Sequence, residues 1–271
     1  MFSLFKSKPL LSSADQEFLI ATFKWLLRNF GGDDFYKLTN LVLPTKQHFP
    51  DEVDSPEAAA AATFKSVKKH ANMDSWDCKL QEQEEDANPL VAPTMVVQNS
   101  PTSPNGTFQA TENNEVIITY NPALVGQPIQ LVATLAHELA HYLTATSPEE
   151  PPGGWENWEF ATDVAATFMG FGLFMANSAF NFSQYTDTDS QGWKTSRSGY
   201  LSETEHIYAL ALFIKLKKLP DDAAHQYLKP HLKKLMKKVI KEIDKSDLIG
   251  ELKAVEFKPC VSEKKNAQYE P

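Results

Sequence analysis

The run His137-Glu138-Leu139-Ala140-His141 constrains this chain more tightly than any other stretch. Two imidazoles four residues apart share one face of a helix, about one turn apart, so both can reach a single cation. Glu138 lies roughly 100° round the helix from His137. That is too far to ligate alongside the rings, but well placed to take a proton from water that a metal activates. The local signals for a helix are present. Gly126-Gln127-Pro128 breaks the chain, and Pro128 suits a first helical position, where a missing N–H costs nothing. Leu131, Leu135 and Leu139, with Ala136 and Leu143 beside the row, form an apolar stripe across from the two histidines. The pattern predicts a helix that buries its leucines and presents His137 and His141 to a cleft. Residues 144–154, rich in proline, serine and glycine, end it.

A second helical pattern begins at Trp155-Glu156-Asn157-Trp158-Glu159 and carries Asp163 one turn beyond Glu159. Tetrahedral zinc with two histidine ligands accepts a carboxylate as its third and leaves a position for water. Glu159 is the expected third ligand. Asp163 is expected to accept the other ring N–H of a ligating histidine, fixing its tautomer and raising its basicity. Glu156, three residues before Glu159 and near the same face, is the reserve ligand. At Asp163 and Glu156 the plain alternative is a solvated helix-face acid.

This arrangement, HELAH with seventeen residues between His141 and Glu159 and an E-x-x-x-D frame after them, resembles the gluzincins. These are zinc metallopeptidases that include thermolysin and a branch of aminopeptidases. The resemblance covers residues 115–179. It implies an α+β, zincin-like fold, mostly helical, with a small sheet packed on two metal-binding helices. It also implies one zinc ion held by His137, His141 and Glu159, with Glu138 as catalytic base and Asp163 as the orienting acid. No G-x-M-E-N stretch is present, which argues against the aminopeptidase branch. The clan also steadies the oxyanion with a histidine or tyrosine, for which Tyr200, Tyr208 and His206 are the candidates. Arg197, beside them, is a candidate for receiving a substrate carboxylate or carbonyl.

The expected activity is intracellular, metal-assisted hydrolysis of a peptide bond in a peptide or protein substrate. The competing expectation is a zinc-stabilised binding or regulatory protein without turnover. A net charge of −9 disfavours nucleic acid as a general partner. Two cysteines, Cys78 and Cys260, form no disulfide framework and suit a reducing, cytoplasmic compartment. The apolar part of the first residues is too short for a signal sequence. The most hydrophobic stretch, residues 168–180, falls short of a membrane span and is expected to be the buried part of the second metal-binding helix.

The organisation expected is an N-terminal helical segment over 1–75, a core with sheet and metal-binding helices over 76–180, and a loop and helical part over 181–261. A disordered tail is expected over 262–271, and the whole is expected to form one compact domain. Within it, Ser13-x-x-Gln16 reads as a capping box, and a helix is expected from Ser55-Pro56 to about His70. Trp76, Cys78 and Leu80 alternate as in a strand, and residues 94–98 offer another. Residues 107–111 are expected to pair with 115–120, the latter being the candidate edge strand for substrate. Residues 181–199 read as a long polar loop. Ser202-x-x-Glu205 caps a following helix, and residues 231–245 form a lysine-rich amphipathic one. His48, His70, His225 and His231 have no partner at ligand spacing.

Overall fold

Serine and proline start most of the helices. In the computed structural model, which describes residues 9–83, 105–110, 115–183 and 201–258, helix α1 spans Ser13–Phe30. Its cap is Ser12, one residue before the expected Ser13. The Ser12 hydroxyl accepts from the Asp15 N–H at 3.1 Å and donates to the Asp15 carboxylate at 2.7 Å. The physical reason is charge: an acid three residues past the cap complements the helix N-terminus better than neutral Gln16 would. Gln16 turns instead to the Tyr208 hydroxyl, at 2.6 Å. Helix α2 spans Gly32–Leu38 and α3 spans Pro56–His70, the latter capped by Ser55 with Pro56 in its first turn, as expected.

Three short strands follow: β1 (Lys79–Glu82), β2 (Gly106–Ala110) and β3 (Val116–Tyr120). Their order is β1-β3-β2, with β1 parallel and β2 antiparallel to β3. The expected hairpin forms, in the register Gly106↔Tyr120 through Ala110↔Val116. Two expectations need correction. The strand near Trp76 begins only at Lys79, because Trp76 leaves the strand line to pack edge-on against Tyr142, ring centroids 4.7 Å apart. The candidate edge strand, residues 115–120, is the central strand; both its edges are already bonded and cannot receive substrate. Among the described residues β2 is an outer strand. Residues 94–98 lie outside the described residues.

Helix α4 spans Pro128–Ala145, starting at Pro128 as expected. Helix α5 spans Trp158–Ala166 and α6 spans Gly172–Ser183. Between them lies a π-type stretch, Thr167–Phe171, with Gly170 at φ +104°. The expected continuous helix is therefore broken. Its cause is tertiary: the chain after α2 crosses here, and the Val42 N–H donates to the Gly170 carbonyl at 3.0 Å. A Cβ at Gly170 would stand 2.1 Å from the Asn40 carbonyl oxygen, so the crossing requires glycine. The apolar side chains on both sides of the break are buried, as expected.

Helix α7 (Glu203–Leu216) opens with the expected Ser202/Glu205 capping box. Helices α8 (Pro230–Ile243) and α9 (Leu248–Lys253) complete the described chain. Helix α6 takes in the first three residues of the expected 181–199 loop; the loop's remainder and the 262–271 tail lie outside the described residues. The result is an α+β fold, mostly helical with one small sheet. A single hydrophobic cluster runs from Leu11 on the N-terminal side to Leu252 in α9 and takes in α4 to α7. No helix among the described residues is long and apolar enough to cross a membrane.

Candidate metal centre

Helix α4 sends Leu131, Leu135 and Leu139 into the core and turns His137 and His141 toward α5. The turn of residues 153–157 then sets the start of α5 so that Glu159 arrives over the two rings. Three donor atoms converge. His137 Nε2 and His141 Nε2 are 3.0 Å apart, and Glu159 Oε2 lies 3.3 Å from the first and 3.4 Å from the second. Tetrahedral zinc, with bonds of about 2.0–2.1 Å, sets neighbouring ligand atoms roughly 3.3 Å apart. The triangle therefore has the size of one face of such a tetrahedron. The His137 and His141 side chains are only 6% and 8% exposed, whereas Glu159 is 52% exposed, so solvent reaches the triad from the Glu159 side.

The far side of each ring is also held. Asp163 Oδ1 accepts from His137 Nδ1 at 2.9 Å, the role expected of it, which directs the Nε2 lone pair into the triangle. His141 Nδ1 lies 3.3 Å from the buried Thr162 hydroxyl, with the same consequence for its Nε2. Asp163 Oδ2 accepts the Leu201 N–H at 3.3 Å, so the carboxylate is oriented at both oxygens. With both rings neutral, two lone pairs and an anionic oxygen would face one point.

Comparison of the chain with protein families, with curated proteins and with solved structures finds no match. The chemistry of the site rests on its own donors.

Their charges agree with the geometry. Burial works against a charge on His137, but hydrogen bonds to Asp163 and Glu159 outweigh it and hold that ring well above the usual imidazole value. Burial would raise the Glu159 carboxyl, yet its bonds to both rings keep it well below the usual carboxylate range. Burial pushes His141 down, with the neighbouring His137 adding to the fall against the pull of Glu159. The cluster draws positive charge to its centre, and a divalent cation would satisfy the same field.

Glu138 sits beside this triangle without joining it. It is buried, and burial pushes its carboxyl up to about 7, with Glu159 and Asp163 adding to the rise and His137 opposing it. Strand β2 begins against it. A Cβ at Gly106 would stand 2.7 Å from a Thr134 methyl, 2.8 Å from the Thr119 carbonyl oxygen and 3.1 Å from Glu138 Oε1. Glycine at 106 lets the strand lie directly on the motif helix.

Of the remaining expected residues, none that the structure describes joins the three-atom cluster. Glu156 is exposed on the Trp155–Asn157 turn and takes no part in the three-atom cluster. Tyr208 is fully buried with its hydroxyl engaged by Gln16 of α1. His206, two positions earlier and hence on the other side of α7, is buried behind the triad with Nε2 3.7 Å from Asp163 Oδ2. Its two ring nitrogens make no hydrogen bond among the described residues. Tyr200 and Arg197 lie outside the described residues. His48 and His70, which have no partner at ligand spacing, pack together at 5.0 Å between ring centroids, and His231 pairs with Glu203 at 3.0 Å.

Three residues were not anticipated. Thr162 orients His141. Trp158 packs edge-on against the His141 ring at 4.7 Å and donates to Thr144 at 2.8 Å. Phe108 of β2 lies parallel to His141 at 6.2 Å. Trp158 and Thr162 flank Glu159 at steps of one and three in the same helix, a signal that was available. Phe108 gave none, since it arrives through the sheet. Because Asp163 fixes the His137 tautomer, Asp163→Asn should weaken zinc binding about 10- to 100-fold, as read by competition with a chromogenic chelator. An unchanged affinity would remove Asp163 from the site.

Proposed function

We propose that this chain is a cytoplasmic zinc-dependent hydrolase of the gluzincin kind, with a zincin-like fold, that cleaves peptide bonds. The observation that carries the reading is the convergence of His137, His141 and Glu159 in a triangle of ligand size, with a buried, unligated carboxylate beside it. These three side chains would hold the ion. A zinc ion bound there polarises a carbonyl and makes water a nucleophile near neutral pH.

The chain supplies the rest. Glu138 accepts the proton of the attacking water and returns it to the leaving amine, a task suited to a carboxyl raised to about 7. Asp163 and Thr162 keep both rings in the tautomer that ligates. The outer strand β2, which lies on the motif helix at Gly106, is the place for an extended substrate to add main-chain hydrogen bonds. Trp155, exposed and packed edge-on against Trp158, adds apolar surface in the turn just before Glu159.

A purely structural zinc fits less well. Small zinc folds lack a core of their own, whereas α4 and α5 are already joined through the shared hydrophobic cluster. The decisive experiment incubates a proteome-derived peptide library with zinc-loaded and with chelator-stripped protein, followed by mass spectrometry. Cleavage by the loaded form alone supports the hydrolase. Zinc bound at one equivalent with no peptide cleaved would replace it with the binding-protein reading.

A further inference from the structure

Helix α8 carries a stripe of positive charge that the described residues leave uncompensated. Lys234, Lys237, Lys238 and Lys241 recur at steps of three and four, so their stems rise from one face over about 10 Å. Lys245 follows just past the helix end. All five are exposed. The opposite face, with Leu232, Met236, Val239, Ile240 and Ile243, is buried, and α8 packs on α7. The stripe therefore points directly away from the body.

None of these five ammonium groups forms an ion pair or hydrogen bond among the described residues, whereas those of Lys24, Lys37, Lys46, Lys79 and Lys215 each pair with a carboxylate. The nearby acids are turned elsewhere. Glu242 accepts from the Leu10 N–H, and Asp244 pairs with Lys215. The first turn of α8 holds no acid, and Lys233 closes it against the helix dipole. Like charges at these spacings also destabilise the helix. Residues 201–258 hold 12 lysines against 9 acids in a chain of net charge −9.

The composition of the stripe selects its partner. Protein interfaces are anchored by Trp, Tyr and Arg, and base-specific contacts to nucleic acid use Arg most often. The stripe contains lysine alone, and none of the exposed large hydrophobic residues lies on α8. What remains is attraction to a dense, flat array of negative charge, for which a cluster of lysines on an amphipathic helix suffices. We propose that α8 docks the protein, through Lys234, Lys237, Lys238 and Lys241, on an anionic phospholipid surface.

The test is co-sedimentation of the full chain with vesicles of phosphatidylcholine alone or of an equal mixture with phosphatidylglycerol. The parent should bind the mixed vesicles at low salt, ignore the neutral ones, and be released near 1 M salt, where the screening length is about 3 Å. The combined Lys234→Gln, Lys237→Gln, Lys238→Gln, Lys241→Gln variant should lose several hundred-fold in partition, at roughly fivefold per lysine, with an unchanged circular dichroism spectrum. Four glutamines at Lys24, Lys37, Lys46 and Lys79 should cost less than about tenfold. Parent-like binding by the α8 variant, equal binding to neutral vesicles, or capture by a DNA duplex without capture by mixed vesicles would each overturn the proposal. Zinc affinity is unaffected in every arm, so this result stands apart from that of the peptide-cleavage experiment.

Discussion

Glu138→Gln is expected to lower kcat/KM about 10³-fold while zinc affinity stays within about tenfold of the parent. Glutamine keeps the shape of the side chain, so its place against Gly106 at the start of β2 persists. It lacks only the ability to take up and return a proton. The three atoms that could hold an ion do not include one from position 138, so the proposed donor set is kept. A loss of both zinc and activity would mean that Glu138 is a ligand. Parent-like turnover on a peptide cleaved by the parent would mean that another group moves the proton. The measurement pairs steady-state kinetics with equilibrium dialysis on the same preparation, which separates the two failures.

The second large effect concerns the fold. Gly170→Ala should destabilise the protein by about 3 kcal/mol or more, roughly 10 °C in the melting temperature. Two costs combine. An alanine at φ +104° is strained, and its methyl would stand 2.1 Å from the Asn40 carbonyl oxygen, which is backbone and cannot swing aside. Relief would require the chain after α2 to withdraw, breaking the Val42–Gly170 hydrogen bond. Gly126→Ala provides the control. Nothing lies within 4 Å of a Cβ there and its φ is ordinary, so stability should be unchanged or slightly raised. Thermal unfolding followed by circular dichroism decides between the two. A Gly170→Ala variant melting within about 2 °C of the parent would show that the break between α5 and α6 does not need glycine.

What was legible in the sequence was local. Ser55-Pro56, Pro128 and the Ser202/Glu205 box start helices through contacts within one turn, and each does so in the structure. The partners of the motif helix were legible for the same reason. Glu159 and Asp163 sit one turn apart, and a ligand and an orienting acid need that spacing. The features that escaped depend on distant chain. Residues 115–120 look like any half-buried strand, and only the pairing with β1 puts them in the centre of the sheet. The π-type stretch at residues 167–171 reads as uninterrupted apolar helix until the Asn40 carbonyl is seen against Gly170. Tyr208 and His206 both lie close in sequence to the capping box of α7. Their opposite surroundings follow from which neighbour each side of α7 meets.

The Asp163 carboxylate is divided between a histidine ring on α4 and the Leu201 amide just before α7. A single rigid group thus bridges a ring of the proposed metal site and the chain just before a helix distant in sequence. Under the proposed metal binding, thermodynamic reciprocity makes an expectation: occupancy of the triad should order the Leu201–Ser202 corner, and ordering of that corner should tighten occupancy by the same free energy. Loading with zinc should slow hydrogen exchange at the Leu201 amide, and Ser202→Ala, which removes none of the three converging atoms, should make the ion easier to strip.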